Sequence, residues 1–235
     1  MSQQQHEDAV TKIGFRMLER AGDRVACDVI DAFLEIGVAQ VSDCMGRLYG
    51  SRELSPIHGA GLRMAGIALT VKTRPGDNLL IHQAIATAQP GDVIVVDGGG
   101  CASNALVGEL MLKQAQARGI AGFVIDGMVR DAEAFEREQF PCFARGLSHR
   151  GPFKDGPGEM NVPVAVGGLV VQAGDVIIGD CDGLLSIPAS HVGEVLAMAQ
   201  ATEANEQKRM ELIAAGTYQK PWLAKALAKL SEEYA

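Results

Sequence analysis

The chain has 235 residues, 47% of them hydrophobic, with 28 glycines, which describes a compact, turn-rich globular protein rather than a disordered one. A formal charge of −8 without a Lys/Arg stripe argues against a nucleic-acid surface. Five scattered cysteines with no CxxC, a polar N-terminus without a signal core and no apolar run of membrane length predict a soluble, cytoplasmic protein with reduced thiols and no membrane partner.

In chain order, residues 1–50 read as helical. "DRVACDVIDAFLEIG" carries apolar residues at helical intervals, and Ser42 or Asp43 offers a cap for a second short helix. Residues 56–100 read as strands and turns around a helix, "LLIHQAIATA". Gly-Asp turns at 74–77, 90–93 and 173–176 precede or join apolar runs, and "GDVIVVDGGG" and "GDVIIGDCDG" read as two similar entries into a sheet. Residues 101–188 continue strand and helix, and 189–231 form a helical tail. The expected architecture is one α/β domain with a mixed sheet flanked by helices. Its core spans about 25–190, with helical extensions at both ends, the C-terminal one over 191–235.

Between Gly108 and Asp131 runs "GELMLKQAQARGIAGFVIDGMVRD", opened by the acid Glu109 and closed by Arg130-Asp131. Residues 109–118 read as a helix capped by Ser103 or Asn104, carrying the chain roughly 15 Å. Arg118-Gly119 stops it. The apolar run 120–125, suited to a sheet covered on both faces, returns the chain roughly 20 Å. Glu109 and Arg130-Asp131 are therefore expected to meet at one edge of the sheet, where α/β proteins place ligands. Read singly, each has a bland alternative: Glu109 as a first-turn acid, and Asp131 as the N-cap of "AEAFERE".

No GxGxxG, GxxxxGK[ST], GxSxG or HExxH occurs. Gly98-Gly99-Gly100 reads as a sharp turn rather than a phosphate loop. The histidines (His6, His58, His82, His149, His191) lack ligand spacing, although His149-Arg150 lies in a Gly/Pro-rich loop that could reach a substrate. Lys72 and Lys113 sit in no special context and read as solvated lysines.

"GDVIVVDGGG", the 108–131 segment, "FARG", "NVPVAVGGLVVQAGDVIIGDCDGLLSIP" and "EQKRMELIAAG" together resemble the RraA-like family over roughly residues 25–216. The closer resemblance is to its 4-hydroxy-4-methyl-2-oxoglutarate aldolase and oxaloacetate decarboxylase branch. The resemblance implies the swivelling-domain type of fold and a trimer or hexamer with sites between subunits. It also implies a 2-oxo acid substrate and a divalent cation, Mg²⁺ or Mn²⁺. Pyruvate would lie against Gly108, Glu109, Leu110 and Met111, with Arg130 on its carboxylate and Asp131 holding the metal. Glu206 matches an acid reaching in from a neighbouring subunit, with Glu203 one helical turn away. The aldolases carry Asp where this chain has Glu109, a difference that bears on substrate choice. Another branch binds and inhibits a ribonuclease and lacks the aspartate after the arginine.

The chemistry is consistent with these residues. Cleaving a carbon–carbon bond beside a 2-oxo acid leaves an enolate, which a metal or a lysine Schiff base must stabilise. A hard cation takes oxygen ligands and keeps waters, so one carboxylate can anchor it. An arginine fork and a helix N-terminus both suit a carboxylate, and a carboxylate such as Glu109 can move the proton.

Overall fold

The computed structural model describes residues 11–20 and 22–234. Strands β1 (Thr11–Lys12) and β2 (Phe15–Met17) precede helices α1 (Cys27–Leu34) and α2 (Val38–Cys44). There follow β3 (Ser55–Pro56), β4 (Met64–Thr73), α3 (Leu79–Thr87), β5 (Asp92–Val107), α4 (Glu109–Ala117), β6 (Gly122–Val129), α5 (Ala132–Arg137) and β7 (Cys142–Leu147). The chain continues through β8 (Gly158–Met160), β9 (Val164–Val166), β10 (Leu169–Val171), β11 (Val176–Asp180) and β12 (Gly183–Ile187). It ends in α6 (Val192–Ala214) and α7 (Pro221–Glu233).

Strands β4, β5, β6 and β7 pair in parallel, with α3, α4 and α5 as their crossovers. Antiparallel β8 and β11 on β4 make the sheet mixed, as expected. Both faces of the parallel core are covered, which explains its unbroken apolar runs. Leu69, Val71, Ile94, Val96, Phe123 and Ile125 pack under the α3–α5 layer. The alternate residues Ala68, Val93, Val95 and Val124 pack against Val164, Val166 and Val171 of the β9–β10 hairpin. The two similar turns deliver strands to either side of β4: Ile67 pairs with Asp92 of parallel β5 and with Val176 of antiparallel β11. In each turn the aspartate closes on the amide three residues earlier, Asp92 on Gln89 and Asp175 on Gln172, both at 2.9 Å.

Several local expectations are corrected. Residues 11–17 are strands, not helix, because β2 completes the sheet edge on β8 and Arg16 pairs with Glu159 at 2.7 Å. The first ten residues of the expected helical region, with His6, lie outside the described residues. Ser42 and Asp43 lie inside α2, whose N-cap is Gly37, closed by Gln40 Oε1 at 3.1 Å. Ser103 and Asn104 belong to β5 and cap nothing; the N-cap of α4 is Gly108. Gly99 and Gly100, at φ 64° each, form an irregularity within β5. The tail is two helices, broken where Gly216 turns left-handed and Pro221 restarts the helix.

Asp92 fastens the segment before α1 to this core. Its fully buried carboxylate accepts from Arg20 Nη1 and Nη2 (2.8 and 2.9 Å) and from Arg24 Nη1 (2.6 Å). Asp92→Ala should cost on the order of 3 kcal/mol, since it strands two guanidiniums and a turn amide. Urea unfolding measures this, and a loss well under about 1 kcal/mol would show that the strap adds little.

Candidate functional site

Strands β5 and β6 end together, with Val107 paired to Val129 and the Arg130 amide donating to the Val107 carbonyl oxygen at 3.1 Å. One residue, Gly108, separates β5 from α4. Its backbone is extended, so the constraint is space. A Cβ there would stand 2.6 Å from Asp131 Oδ2, 2.8 Å from Arg130 Cγ and 3.0 Å from Arg130 Nε. Asp131 sits at φ 59°, a left-handed conformation that Asp tolerates better than most residues. Although it occupies the N-cap position of α5, its side chain does not cap that helix. The turn sends its carboxylate back across the strand ends, where Oδ2 accepts from the Glu109 amide at 2.9 Å. Asp131 thus caps α4.

Arg130 Nε lies 3.7 Å from the same Asp131 oxygen, and both side chains are 43% exposed, so the charges face solvent rather than core. In the first turn of α4, the Glu109 amide serves Asp131, while those of Met111 and Leu112 donate to the Gly108 carbonyl oxygen (3.1 and 3.0 Å). Among the described residues the Leu110 amide has no acceptor. It is an open donor at a helix N-terminus, beside a guanidinium, and such a place binds an anion. The Glu109 carboxylate turns to Arg137 Nη2 of α5 at 2.5 Å. That exposed ion pair contributes little to stability but orients the acid.

A pocket of about 90 Å³ lies beside this turn, lined by Asn78, His82, Leu106, Leu110, Met111, Arg130 and Lys154. Two open clefts share Asp131: one runs past Ser148 and His149, the other past Glu109, Glu133 and Arg137. Burial, and then the charge of Lys154, lower the pKa of His82, which favours a neutral ring. The pocket wall is fastened by Asp77. Burial alone would raise its pKa, but amides of Leu79 (2.9 Å), Asp155 (2.7 Å) and Gly156 (2.9 Å) and the charge of Arg74 hold it below the usual carboxylate range.

The structure therefore brings together Gly108, Glu109, Leu110, Met111, Arg130 and Asp131. Glu206 is not among them within one chain; its carboxylate accepts from Gln40 Nε2 of α2 at 2.5 Å. Lys113 is paired with Glu138, and Lys72 with Asp97 at 3.5 Å. His149 does reach the cleft beside Arg130 and Asp131. Asn78, His82, Lys154 and Arg137 were not singled out for the site by sequence; an Asn and a His four apart on one helix face is the one signal that points to the pocket. A separate acidic cluster, Asp180-Cys181-Asp182, supports the β11–β12 turn, with Asp180 accepting from the Val38 and Asp182 amides (3.0 and 2.9 Å). The cleft at Asp131 also carries the carboxylates of Glu109 and Glu133, but among the described residues these three are not gathered into a metal-holding group, so a hard divalent cation there fits Asp131 as its single protein carboxylate, with waters and substrate oxygens completing its shell.

A mixed sheet with an open-amide helix start and an Arg-Asp turn at its parallel strand ends defines the class. The chain belongs to the RraA-like family, whose Aldolase/RraA profile matches residues 26–185. It is 37% identical to a Halalkalibacterium halodurans protein provisionally named 4-hydroxy-4-methyl-2-oxoglutarate aldolase, over 79% of this chain and 89% of that one. An uncharacterized protein from Pseudomonas syringae superposes with a TM-score of 0.77 at 28% identity, covering 86% of this chain and 95% of the other. A Streptomyces coelicolor structure, described as an unusual member of the RNase ES inhibitor RraA family, does so with 0.71 at 25% identity, covering 80% and 98%. No helix among the described residues is long and apolar enough to cross a membrane.

The contact at Gly108 can be tested directly. Gly108→Ala should destabilise the fold by about 1–3 kcal/mol, as overpacking does, and push Asp131 off the Glu109 amide. The Glu109 amide resonance in NMR reports that bond. A variant with parental stability and an unmoved resonance would show that the strand ends have slack.

Proposed function

We propose that the chain is a divalent-metal-dependent lyase that cleaves 4-hydroxy-2-oxo diacids to pyruvate and also decarboxylates oxaloacetate. Fitting substrates are 4-hydroxy-4-methyl-2-oxoglutarate and 4-carboxy-4-hydroxy-2-oxoadipate. The observation that carries this reading is the side-by-side placement of the Arg130 guanidinium, the open Leu110 amide and the Asp131 carboxylate. The aldolase name of the Halalkalibacterium halodurans relative supports it.

Arg130 and the Leu110 amide hold the substrate carboxylate, and the small pocket receives the three-carbon fragment that becomes pyruvate. Asp131 would hold Mg²⁺ or Mn²⁺, with waters and substrate oxygens as the remaining ligands. When bound, the cation supplies positive charge that stabilises the developing negative charge on the keto oxygen. Glu109, oriented by Arg137, takes the proton from the 4-hydroxyl as the carbon–carbon bond breaks. The larger half of the substrate extends into the open clefts past His149 and Arg137. Glu206 enters this reading only from a neighbouring copy, in a closed trimer or hexamer.

One observation favours a second reading, a non-catalytic regulator that binds a ribonuclease: the likeness to the Streptomyces coelicolor inhibitor-family structure. Pyruvate release from oxaloacetate, with and without Mg²⁺, separates the two. Rates no higher than the metal-catalysed background would favour the regulator.

Two substitutions test the roles. Arg130→Lys keeps the charge but loses the fork, so oxalate binding should weaken by on the order of 1–3 kcal/mol. Unchanged inhibition by oxalate in a folded variant would remove Arg130 from the site. Asp131→Asn keeps an acceptor for the Glu109 amide and suits the left-handed turn, so thermal melting should change little. It removes the charge a hard cation needs, so turnover should fall by orders of magnitude. A metal titration that superposes on the parent's would end the metal-anchor role.

A further inference from the structure

Strand β7 ends beside β6, with Leu147 paired to Val129 and the Ser148 amide donating to the Val129 carbonyl oxygen at 2.9 Å. The chain leaving β7 therefore runs beside Arg130 and Asp131, which leave β6. That exit is tied down on both sides of His149. Ser148 Oγ donates to the Ser103 carbonyl oxygen at 2.8 Å and accepts from the Arg150 amide at 3.3 Å. The Arg150 carbonyl oxygen in turn accepts from the Ala105 amide at 2.8 Å. His149 itself is exposed, and among the described residues its ring has no hydrogen-bond partner. It lines the cleft of about 450 Å³ that also holds Arg130, Asp131, Leu147 and Ser148.

The opening on the other side of Asp131 has a different character. Its ionised lining is Glu109, Asp131 and Glu133 against Arg137 alone, and that guanidinium already spans Glu109 and Glu138. A carboxylate entering there meets like charges, which turns it away. In the His149 cleft Arg130 and Asp131 offset one another. An imidazole in either protonation state carries at least one N–H donor.

Resting on the lyase reading, we infer that His149 is the residue that selects diacids. Its ring donates to the second carboxylate, the one carried on C4, within the cleft between the ends of β6 and β7. Arg130 and the Leu110 amide hold the first carboxylate, so the two ends of the substrate are read by groups on neighbouring strand exits. Because the backbone is pinned on either side, the ring is held near its acceptor before substrate arrives, which lowers the ordering cost of the contact. Ser148 acts on the loop alone, since its single donor is committed to Ser103. An acid without the second carboxylate leaves the ring to water and gains nothing from it.

The experiment compares two substrates that differ only at C4, with full-length protein and Mg²⁺. 4-Hydroxy-4-methyl-2-oxoglutarate carries the second carboxylate and breaks into two molecules of pyruvate. 4-Hydroxy-4-methyl-2-oxopentanoate carries a methyl group in its place and breaks into pyruvate and acetone. The parent should favour the diacid. His149→Leu should cut the diacid-to-monoacid ratio of kcat/KM by on the order of 10- to 100-fold, as loss of one hydrogen bond to a charged group does. His149→Gln, which keeps an N–H donor, should restore much of the ratio, and thermal melting checks that each exposed variant folds. Arg137→Gln should slow both substrates together, because Arg137 acts through Glu109. An unchanged ratio in His149→Leu, or a parent with no preference for the diacid, overturns this inference alone. So does a ratio lost in Arg137→Gln instead, which would place the second carboxylate in the other cleft. A parent protein that releases pyruvate from neither substrate overturns the lyase reading and this inference with it.

Discussion

The hydrogen bond from the Glu109 amide to Asp131 Oδ2 joins segments that leave two neighbouring parallel strands, and the site exists because they can lie so close. Ladder pairing sets strands about 4.8 Å apart, which leaves little room for side chains where β5 and β6 end. Gly108 supplies that room by having no Cβ. The left-handed turn at Asp131 then aims a carboxylate across the gap instead of down its own helix. A strained residue of this kind costs on the order of 1 kcal/mol, and a helix cap contributes about as much in return. The same contact leaves the next amide, that of Leu110, open beside Arg130. One packing detail therefore sets both the fit of the strand ends and the open amide beside Arg130.

This geometry was partly legible in the sequence because it follows from element lengths. A nine-residue helix and an eight-residue strand bring Arg130-Asp131 back to Glu109 whatever the side chains between them do. The apolar runs of β5 and β6 also announced a sheet covered on both faces, even though the covering hairpin β9–β10 could not be named as the partner. What Asp131 binds was not legible. Sequence offers the nearest helix as the recipient of a capping carboxylate, and only the backbone angle at one residue redirects it. Asn78, His82 and Lys154 were hidden for another reason: they come from separate segments, and the pocket exists only once Asp77 gathers the amides of Leu79, Asp155 and Gly156.

The same limit explains the errors at the two ends of the chain. Residues 11–17 carry no strand periodicity of their own; they become strands because β8 offers an edge and Glu159 and Asp92 offer charges. In α6, Val195 and Ala199 lie one helical turn apart on one face. They are buried within this chain, in the cluster formed with α1 and α2. A helical pattern reports that a face is covered without reporting by what. The exposed apolar residues lie further on, at Met210 and Ile213 of α6 and at Leu223, Leu227 and Leu230 of α7.

Net charge gives a similarly poor account of what the site attracts. A chain at −8 would repel a dianion if its charge were evenly spread. Several acids are neutralised locally, which leaves the net charge unchanged but not its distribution: Glu159 by Arg16, Asp92 by Arg20 and Arg24, Asp126 by Arg145, and Glu109 by Arg137. Around the α4 turn the groups facing the openings are the Arg130 fork with Asp131 beside it, the Leu110 amide, Lys154 and His149, and in the further cleft Glu133 and the Glu109–Arg137 pair. Because opposed pairs cancel within a few ångströms while an aligned helix start does not, the local field at this edge is set by the few groups at the openings. For the lyase proposed above, the sign that matters to a 2-oxo acid is therefore the local one at the end of β5 and not that of the whole chain.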